Sequence, residues 1–319
     1  MMQIMDGKLV SKVIIDEVKE KLYNLDRKLG LVVIQVGKDP ASSVYVRQKG
    51  KMAAKLDFCE EKNEIINNNS LSEFEKQIEL SRYDNIGCNF EHIELDENIS
   101  EDDLINEIEK LNNDDNVDGI LVQLPIAKHL NVDRVINSID PFKDVDGLNN
   151  YNIERLDYNE EGLFPCTPLG VMEILKYYGI EINGKNVVVV GRSKLVGKPV
   201  SKMITYEGGN VTICHSKTIN PEQYTRKADI LVVAVGKKDL ITSDMVKEGA
   251  VVVDVGINRV NGKLYGDVDY LNVSNKCSYI TPVPGGVGPM TVALLSKNLL
   301  KAYNLKRSKK KARCLKKNN

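Results

Sequence analysis

Tyr45 and Lys49 are the first side chains along the sequence whose spacing suggests acid–base chemistry. The segment around them begins like a helix, because Asp39 is a favourable capping residue and Pro40 suits the first turn, where its missing N–H costs nothing. Tyr45 and Lys49 would then lie one turn apart on one helix face. Such a pair could hold a ligand and transfer a proton, although the same spacing is also typical of an ordinary surface contact on a helix.

Gln123 is a polar residue near the end of an apolar segment, residues 119–124, which reads GILVQL. The run predicts a strand buried within a sheet, where an unpaired amide would be costly. Ligand crevices form at the carboxyl ends of parallel strands, so Gln123 is a second candidate site residue.

Asp144 and Asp146 form a third candidate group. Residues 143–147 read KDVDG, so two carboxyl groups stand two positions apart before a glycine and could face opposite ways. This segment does not indicate a metal site. The three histidines and six cysteines do not indicate one either, because they include no C-x-x-C pair and no spacing typical of zinc ligands. The cysteines are expected to be reduced, as is usual for cytosolic thiols.

A glycine turn follows the apolar run of residues 187–190. Gly191 and Gly197 would permit close backbone approach before a helix, whose first N–H groups could bind phosphate oxygens. The pattern is a degenerate dinucleotide fingerprint. A phosphate-loop ATPase is disfavoured, because Pro199 stands where serine or threonine would hold magnesium. An ordinary structural turn is the alternative.

The residues after the next predicted strand, 211–214, bear on which dinucleotide binds. An NAD site usually places Asp or Glu there to accept a hydrogen bond from the ribose 2′-hydroxyl. Here residues 215–218, which follow the strand, read HSKT and include no acidic residue. Arg192 in the turn and Ser216 after the strand are donors that suit a 2′-phosphate. The sequence therefore predicts NADP, and two merely solvated side chains are the alternative.

These candidate residues are embedded in an alternation of short apolar runs and amphipathic segments. Helices are predicted at residues 10–22 and 104–111, where apolar side chains recur at helical spacing. The alternation predicts an α/β protein with mostly parallel sheets, and the length of 319 residues favours two domains with a boundary in the polar segment 147–166. Residues 60–82 are expected to be a polar insertion or a long helix–loop. The predicted buried strands are residues 31–36, 119–124, 187–190, 211–214, 230–235 and 250–255.

The charge balance excludes a surface built throughout for nucleic acid or acidic lipid, because 44 Lys and Arg stand against 45 Asp and Glu. Residues 306–319 depart from this balance with eight basic residues and no acid, and we expect a disordered tail there. A nucleic-acid-binding protein is the rival interpretation of that tail.

The sequence has no run of eighteen apolar residues and no signal-peptide pattern, so we expect a cytoplasmic protein without a membrane partner.

Eight segments make the chain resemble the bifunctional methylenetetrahydrofolate dehydrogenase/methenyltetrahydrofolate cyclohydrolase family over nearly its whole length. Chance agreement of all eight in this order is negligible, and the last of them is highly specific. The matching segments are Tyr45-x-x-x-Lys49-x-Lys51, 118–125 (DGILVQLP), 143–147 (KDVDG), 165–168 (PCTP), 190–199, 254–258 (DVGIN), 266–268 (GDV) and 284–291 (PGGVGPMT).

The resemblance implies two lobes with a cleft between them. An N-terminal α/β lobe for the folate would comprise residues 1–148 with 290–305, and a Rossmann-like, parallel-sheet lobe for NADP would comprise residues 149–289, followed by the tail 306–319. The implied reactions are oxidation of 5,10-methylenetetrahydrofolate to the 5,10-methenyl form with NADP, and hydrolysis of that product to 10-formyltetrahydrofolate. A homodimer is also implied.

The resemblance further implies roles for individual residues. Lys49 would be the acid/base group of the hydrolysis, and Gln123 would hold its amine, whose pKa Lys51 and the folate cation could lower. Tyr45 would stack on the aminobenzoyl ring, and Asp146 would accept hydrogen bonds from the pterin. The other folate-side residues would be Leu124, Gly288, Pro289 and Thr291, and the cofactor-side residues would be Gly191, Arg192, Ser193, Ser216 and Ile257.

Two features depart from the family pattern. An aromatic residue and a histidine often follow the Asp-Gly of the KDVDG segment, whereas Leu148 and Asn149 follow it here, so contacts at those positions do not carry over. Residues 60–82 are also longer than is usual in the family. A different NADP oxidoreductase on the same two-lobe plan, such as a shikimate-dehydrogenase-like protein, is the rival interpretation.

Overall fold

The chain divides into two compact units. The computed structural model describes the backbone of residues 2–317, and the side chains of those residues except at positions 41 and 309–317. The three-stranded unit consists of Ile14–Asn152 with Leu295–Asn319, and the six-stranded unit consists of Met1–Val13 with Ile153–Leu294. The chain passes from one unit to the other within α1 (Gly7–Leu22), α7 (Asn150–Asp157) and α12 (Val287–Lys317).

The three-stranded unit is built on a parallel sheet whose central strand is its most apolar one. The strands are β2 (Leu29–Val36), β3 (Cys88–Leu95) and β4 (Gly119–Val122), and β2 lies between the other two. All eight residues of β2 are buried, as expected for a strand that is covered on both faces. The further helices of this unit are α2 (Pro40–Leu56), α3 (Cys59–Ile66), α4 (Glu73–Ser81), α5 (Glu101–Asn113) and α6 (Val132–Ser138).

The six-stranded unit contains one fully parallel sheet in the order β1-β11-β8-β7-β5-β6. Its strands are β1 (Gln3–Ile4), β5 (Asn186–Val190), β6 (Asn210–Cys214), β7 (Ile230–Val233), β8 (Val251–Asp254) and β11 (Tyr279–Ile280). A separate antiparallel hairpin joins β9 (Asn258–Val260) to β10 (Lys263–Tyr265). The helices are α8 (Cys166–Tyr177), α9 (Gly197–Tyr206), α10 (Glu222–Thr225), the 3-10 helix Ser243–Met245 and α11 (Tyr270–Val273).

The predicted α/β class with a parallel sheet is confirmed, and each of the six apolar runs contains a strand. Three of those strands end one or two residues before the predicted limit, at Val122, Val233 and Asp254, where the chain turns into a loop. The polar region 60–82 includes α4 and all of α3 except its first residue, and the side chain of Ser72 caps α4 together with Glu75.

The domain limits of the structure differ from the predicted ones at both ends of the chain. The first 13 residues belong to the six-stranded unit, because β1 pairs with β11 at its edge. At the other end α12 continues to Lys317, whereas disorder was predicted from residue 306. Lys306 donates hydrogen bonds to the carbonyl oxygens of Asp115 (2.8 Å) and Val117 (3.4 Å), and these contacts fix the helix there. Residues 318 and 319 lie outside the described part.

Among the described residues, no helix is both long and apolar enough to cross a membrane. The same part of the chain contains no group of three or more His, Cys, Asp and Glu side chains placed to hold a metal ion.

Candidate active site

Helix α2 begins where the sequence predicts. Asp39 has extended backbone dihedral angles, its carboxylate accepts a 2.7 Å hydrogen bond from the N–H of Ser42, and Pro40 occupies the first turn. Tyr45 and Lys49 both lie within this helix, and because they are four positions apart they stand about one turn apart on one face. Tyr45 is 45% exposed, so the residue is accessible from solvent.

Lys49 and Gln123 meet in the three-stranded unit. The Nζ atom of Lys49 donates a 2.7 Å hydrogen bond to Oε1 of Gln123. The amide Nε2 of Gln123 donates to the carbonyl oxygen of Leu124, also at 2.7 Å. Gln123 is only 8% exposed, and these two bonds satisfy both ends of its amide. The structure therefore places an oriented amine beside the carboxyl end of β4, where it can give or take a proton.

Asp144 and Asp146 lie in different environments. Asp144 is 1% exposed, and its carboxylate accepts hydrogen bonds from the N–H groups of Gly147 (3.1 Å) and Asn149 (2.7 Å) and from the Asn152 amide (3.2 Å). Burial raises the pKa of Asp144 to about 7, against the effect of these donors. Asp146 is partly exposed, so it is the carboxylate that a ligand can reach. The sequence indicated only that the two could face opposite ways.

Lys143 has a structural role that the sequence did not reveal. Its side chain is buried, and Nζ donates to the carbonyl oxygens of Leu111, Asn112 and Asp114 at 2.7–2.8 Å. These groups lie at the end of α5, where carbonyls have no partner within the helix. Burial lowers the pKa of Lys143 to about 8, and the charge of Lys306 acts in the same direction. Lys143 thereby fastens the segment that carries Asp146 to α5.

The glycine turn of the six-stranded unit requires its glycines. Gly191 has a φ of +126°, and a Cβ atom there would lie 2.3 Å from the carbonyl oxygen of Ala234. A Cβ on Gly197 would lie 2.2 Å from the carbonyl oxygen of Gly191. The hydroxyl of Ser193 accepts hydrogen bonds from the N–H groups of Val196 (3.1 Å) and Gly197 (3.3 Å) at the start of α9. The backbone is therefore tightly packed behind the turn, and side chains larger than hydrogen do not fit at these two positions.

The exposed side of this turn carries donors that suit a phosphate group. Val190 and Cys214 are partners in the parallel pair β5–β6, and Gly191 donates a 2.8 Å hydrogen bond to the carbonyl oxygen of Cys214. Arg192 and Ser216 therefore follow neighbouring strand ends at the same edge of the sheet, and both are exposed. A guanidinium and a hydroxyl at the carboxyl edge of a parallel sheet, beside a glycine turn, fit a dinucleotide that carries a 2′-phosphate.

Two predicted residues of different assignment lie next to each other in the six-stranded unit. Ile257 was assigned to the cofactor side and is 47% exposed. Gly288 was assigned to the folate side, and a Cβ atom added to it would lie 3.9 Å from Cδ1 of Ile257. Pro289 and Thr291 follow in the first turn of α12, and the hydroxyl groups of Thr291 and Thr167 are 3.3 Å apart. The PCTP and PGGVGPMT segments thus meet within this unit.

The structure groups the predicted site residues into two sets. Tyr45, Lys49, Gln123, Leu124 and Asp146 belong to the three-stranded unit, and the glycine turn, Ser216, Ile257 and the residues from Gly288 to Thr291 belong to the six-stranded unit.

Sequence reasoning missed a pair of buried acids, Asp254 and Asp267. Burial raises the pKa of Asp254 to about 6. Hydrogen bonds from three backbone N–H groups act to lower this pKa, and the charge of Asp267 acts to raise it further.

Comparison with known proteins gives one consistent result. Residues 165–307 match the NAD(P)-binding domain of the tetrahydrofolate dehydrogenase/cyclohydrolase family, and residues 5–85 and 76–146 match its catalytic domain. The bifunctional protein FolD of Nitratiruptor is 44% identical over 305 residues, which cover 94% of this chain and 98% of that protein. FolD of Ligilactobacillus salivarius is 47% identical over 298 residues, covering 92% and 94%.

Solved structures agree with the sequence comparison. The FolD dehydrogenase/cyclohydrolase of Campylobacter jejuni superposes with a TM-score of 0.84 at 43% identity and covers 96% of this chain and 100% of its own. The enzyme of Trypanosoma brucei, solved with NADP and an inhibitor, has a TM-score of 0.81 at 34% identity, covering 96% and 98%. With both domains matched and identities well above 30% over nearly the full length, the chain belongs to the tetrahydrofolate dehydrogenase/cyclohydrolase family.

Proposed function

We propose that the residues described above carry out the two reactions of this family: NADP-dependent oxidation of 5,10-methylenetetrahydrofolate, and hydrolysis of the resulting 5,10-methenyl cation to 10-formyltetrahydrofolate. The observation that carries the proposal is the hydrogen bond between Lys49 and Gln123. It gives the chain a positioned amine of the kind that hydrolysis needs, on a unit that matches the catalytic domain of the family.

Lys49 acts as the acid/base group in the hydrolysis. Water adds to the methenyl carbon and loses a proton, and the bond from that carbon to N5 then breaks as N5 takes up a proton. The Nζ atom of Lys49 accepts the first proton and supplies the second, and the remaining hydroxyl proton is released to solvent as the formyl C=O forms, so the positive charge of the methenyl cation leaves as one H⁺. Gln123 holds Nζ in place through Oε1, and its own amide is fixed by the carbonyl of Leu124.

The remaining folate-side residues orient the substrate. Tyr45 stacks its exposed ring on the aminobenzoyl group, and Asp146 accepts hydrogen bonds from the pterin, while Asp144 and Lys143 hold the turn that carries it. Leu124, Gly288, Pro289 and Thr291 complete the contacts to the folate. Orientation matters most for the oxidation, which requires the methylene carbon to be placed accurately rather than a strong base.

The cofactor side consists of Gly191, Arg192, Ser193, Ser216 and Ile257. When bound, NADP would supply the hydride acceptor for the methylene carbon. Gly191 would let the backbone approach the pyrophosphate, and Arg192 and Ser216 would donate to the 2′-phosphate. Ile257 presents an exposed apolar surface to the cofactor. The absence of an acidic residue between His215 and Thr218 supports NADP over NAD.

Two properties of the protein as a whole belong to the same proposal. We propose a homodimer, on the basis of the family, and a cytoplasmic location, which agrees with the free thiols of Cys59, Cys88, Cys166, Cys214 and Cys277. Analytical ultracentrifugation tests the first, and localisation of a tagged chain tests the second.

A direct assay tests both activities. The purified protein is mixed with 5,10-methylenetetrahydrofolate and either NADP or NAD, and NADPH formation and the methenyl absorbance are followed together. The proposal expects fast reduction of NADP, slower reduction of NAD, and loss of added methenyltetrahydrofolate without any dinucleotide. Dinucleotide reduction with shikimate but not with the folate would support the rival oxidoreductase instead.

A further inference from the structure

Asp267 is a fully buried carboxylate of the six-stranded unit that the reactions above do not use. It accepts hydrogen bonds from three consecutive backbone N–H groups: those of Val235 (2.7 Å) and Gly236 (2.9 Å) bind Oδ2, and that of Lys237 (2.8 Å) binds Oδ1. The amide of Asn258 also donates to Oδ1, at 2.9 Å. One side chain therefore fixes the loop that follows β7 and the residue that begins β9.

Glycines make room for this carboxylate and for its neighbour Asp254. A Cβ on Gly256 would lie 2.1 Å from Oδ1 of Asp267, and a Cβ on Gly266 would lie 1.8 Å from Oδ2 of Asp254. Asp254 in turn accepts from the N–H groups of Gly256 and Asp267, both at 3.0 Å. The DVGIN and GDV segments interlock through these contacts, which explains why each contains a glycine next to or near its aspartate.

The loops that Asp267 holds border the proposed cofactor side. The carbonyl of Ala234, at the start of the loop after β7, packs against Gly191 closely enough to exclude a Cβ atom there. Ile257 lies between Gly256 and Asn258, which both contact the Asp267 side chain. A change at Asp267 would thus move the backbone behind the glycine turn and the side chain of Ile257 together.

We propose that Asp267 is a positioning residue for the dinucleotide: it holds the loop after β7 and the segment around Ile257 in the conformation that NADP requires. This inference rests on the proposed cofactor side. Asparagine is nearly isosteric with aspartate, but its NH₂ group must face at least one of the N–H donors that now meet an oxygen, so hydrogen bonds to this loop are lost.

The test compares Asp267→Asn with Asp269→Asn as a matched control. Asp269 stands two positions away, and its carboxylate accepts from Asn272 instead of from the loop. Dinucleotide affinity is measured by calorimetry with NADP alone, and the two activities are measured separately, since the hydrolysis needs no dinucleotide. We expect Asp267→Asn to raise the Kd and the KM for NADP about tenfold or more, while the folate KM and the hydrolysis rate stay within about twofold of wild type.

The outcomes separate this inference from the proposed function. An unchanged Kd for NADP in folded Asp267→Asn, or equal losses in hydrolysis and NADP binding, would overturn the positioning role. If Asp267→Asn does not fold, Asn258→Ala, which removes one donor from the same carboxylate, is judged by the same criteria. Wild-type protein that neither binds nor reduces NADP would refute the proposed function, and the inference with it.

Discussion

The Nζ atom of Lys49 donates a 2.7 Å hydrogen bond to Oε1 of Gln123, 74 residues further along the chain. Lys49 lies on α2 and Gln123 directly follows β4, so the packing of the helix near the sheet edge creates the pair. The amide of Gln123 is oriented by its second bond, to the carbonyl of Leu124, which leaves Oε1 directed at the amine.

Replacing Gln123 with methionine should reduce the hydrolysis by about 10- to 100-fold, because the amine of Lys49 then loses the acceptor that orients it. Steady-state rates with methenyltetrahydrofolate measure the effect. Gln48→Met is the matched control, since Gln48 is exposed and adjacent to Lys49 on α2. Equal rates in the Gln123 and Gln48 variants would show that the amide does not act on the amine.

Replacing Arg192 with alanine should lower the preference for NADP over NAD by roughly tenfold or more, because a 2′-phosphate loses a charged donor. The measurement is kcat/KM for each dinucleotide, with Arg259→Ala as control, an exposed arginine on the β9–β10 hairpin of the same unit. If the ratio of the two values does not change, the guanidinium does not contact the phosphate.

Asp144 should make the protein less stable as the pH rises from about 4 to about 7. Its pKa is raised from 3.8 to about 7 in the folded chain, so the folded state retains a proton that the unfolded state has lost over this range. Ionising this buried carboxyl lowers the free energy of unfolding by about 4 kcal/mol at most. Above pH 7 Asp144 no longer makes the free energy of unfolding depend on pH.

Asp144→Asn tests this origin of the slope, because an amide does not titrate. Urea unfolding at a series of pH values should show a smaller loss of stability between pH 4 and 7 in this variant than in wild type. Asp84→Asn, at an exposed position, should keep the wild-type slope. Parallel curves for Asp144→Asn and wild type would mean that Asp144 is already ionised across this range.

Truncation of the basic C-terminus should separate structural residues from dispensable ones. A chain that ends after Leu305 loses the bonds from Lys306 to the carbonyls of Asp115 and Val117 and the 2.6 Å ion pair between Arg307 and Asp26. We expect its Tm to fall by roughly 2–4 °C, whereas a chain that ends after Ser308 should match wild type. Both should retain catalysis, and salt-sensitive RNA binding that disappears with residues 309–319 would favour the rival interpretation of the tail.

The sequence predicted the buried strands well, because β5, β7 and β8 are short, mostly β-branched apolar runs, which suit a covered parallel strand. It did not predict β3, an edge strand that mixes apolar and polar residues (CNFEHIEL) and has only its first residue buried. Strands β1 and β11 are two residues long and carry too little pattern to be recognised before their pairing is known. That pairing is also why the predicted domain limit at the N-terminus differs from the structure.

Prediction of the site had similar limits. The capping signals of Asp39 and Pro40 placed Tyr45 and Lys49 on one face of α2, which is local information. The difference between Asp144 and Asp146 depends on burial and on donors from Asn149 and Asn152, which no local pattern encodes. The donors to Asp267 come from about 30 residues away, so its role was invisible until the loops were placed.

The most direct test of the central claim is the ratio of the two activities in Lys49→Met. We expect hydrolysis of methenyltetrahydrofolate to fall at least about 100-fold, while NADP-dependent oxidation of methylenetetrahydrofolate keeps a substantial fraction of its rate and the methenyl product accumulates. Lys55→Met, an exposed position near the end of the same helix, should leave both rates unchanged. Hydrolysis at the wild-type rate in Lys49→Met, or equal retention of both activities, would contradict the assignment of Lys49 as the acid/base group.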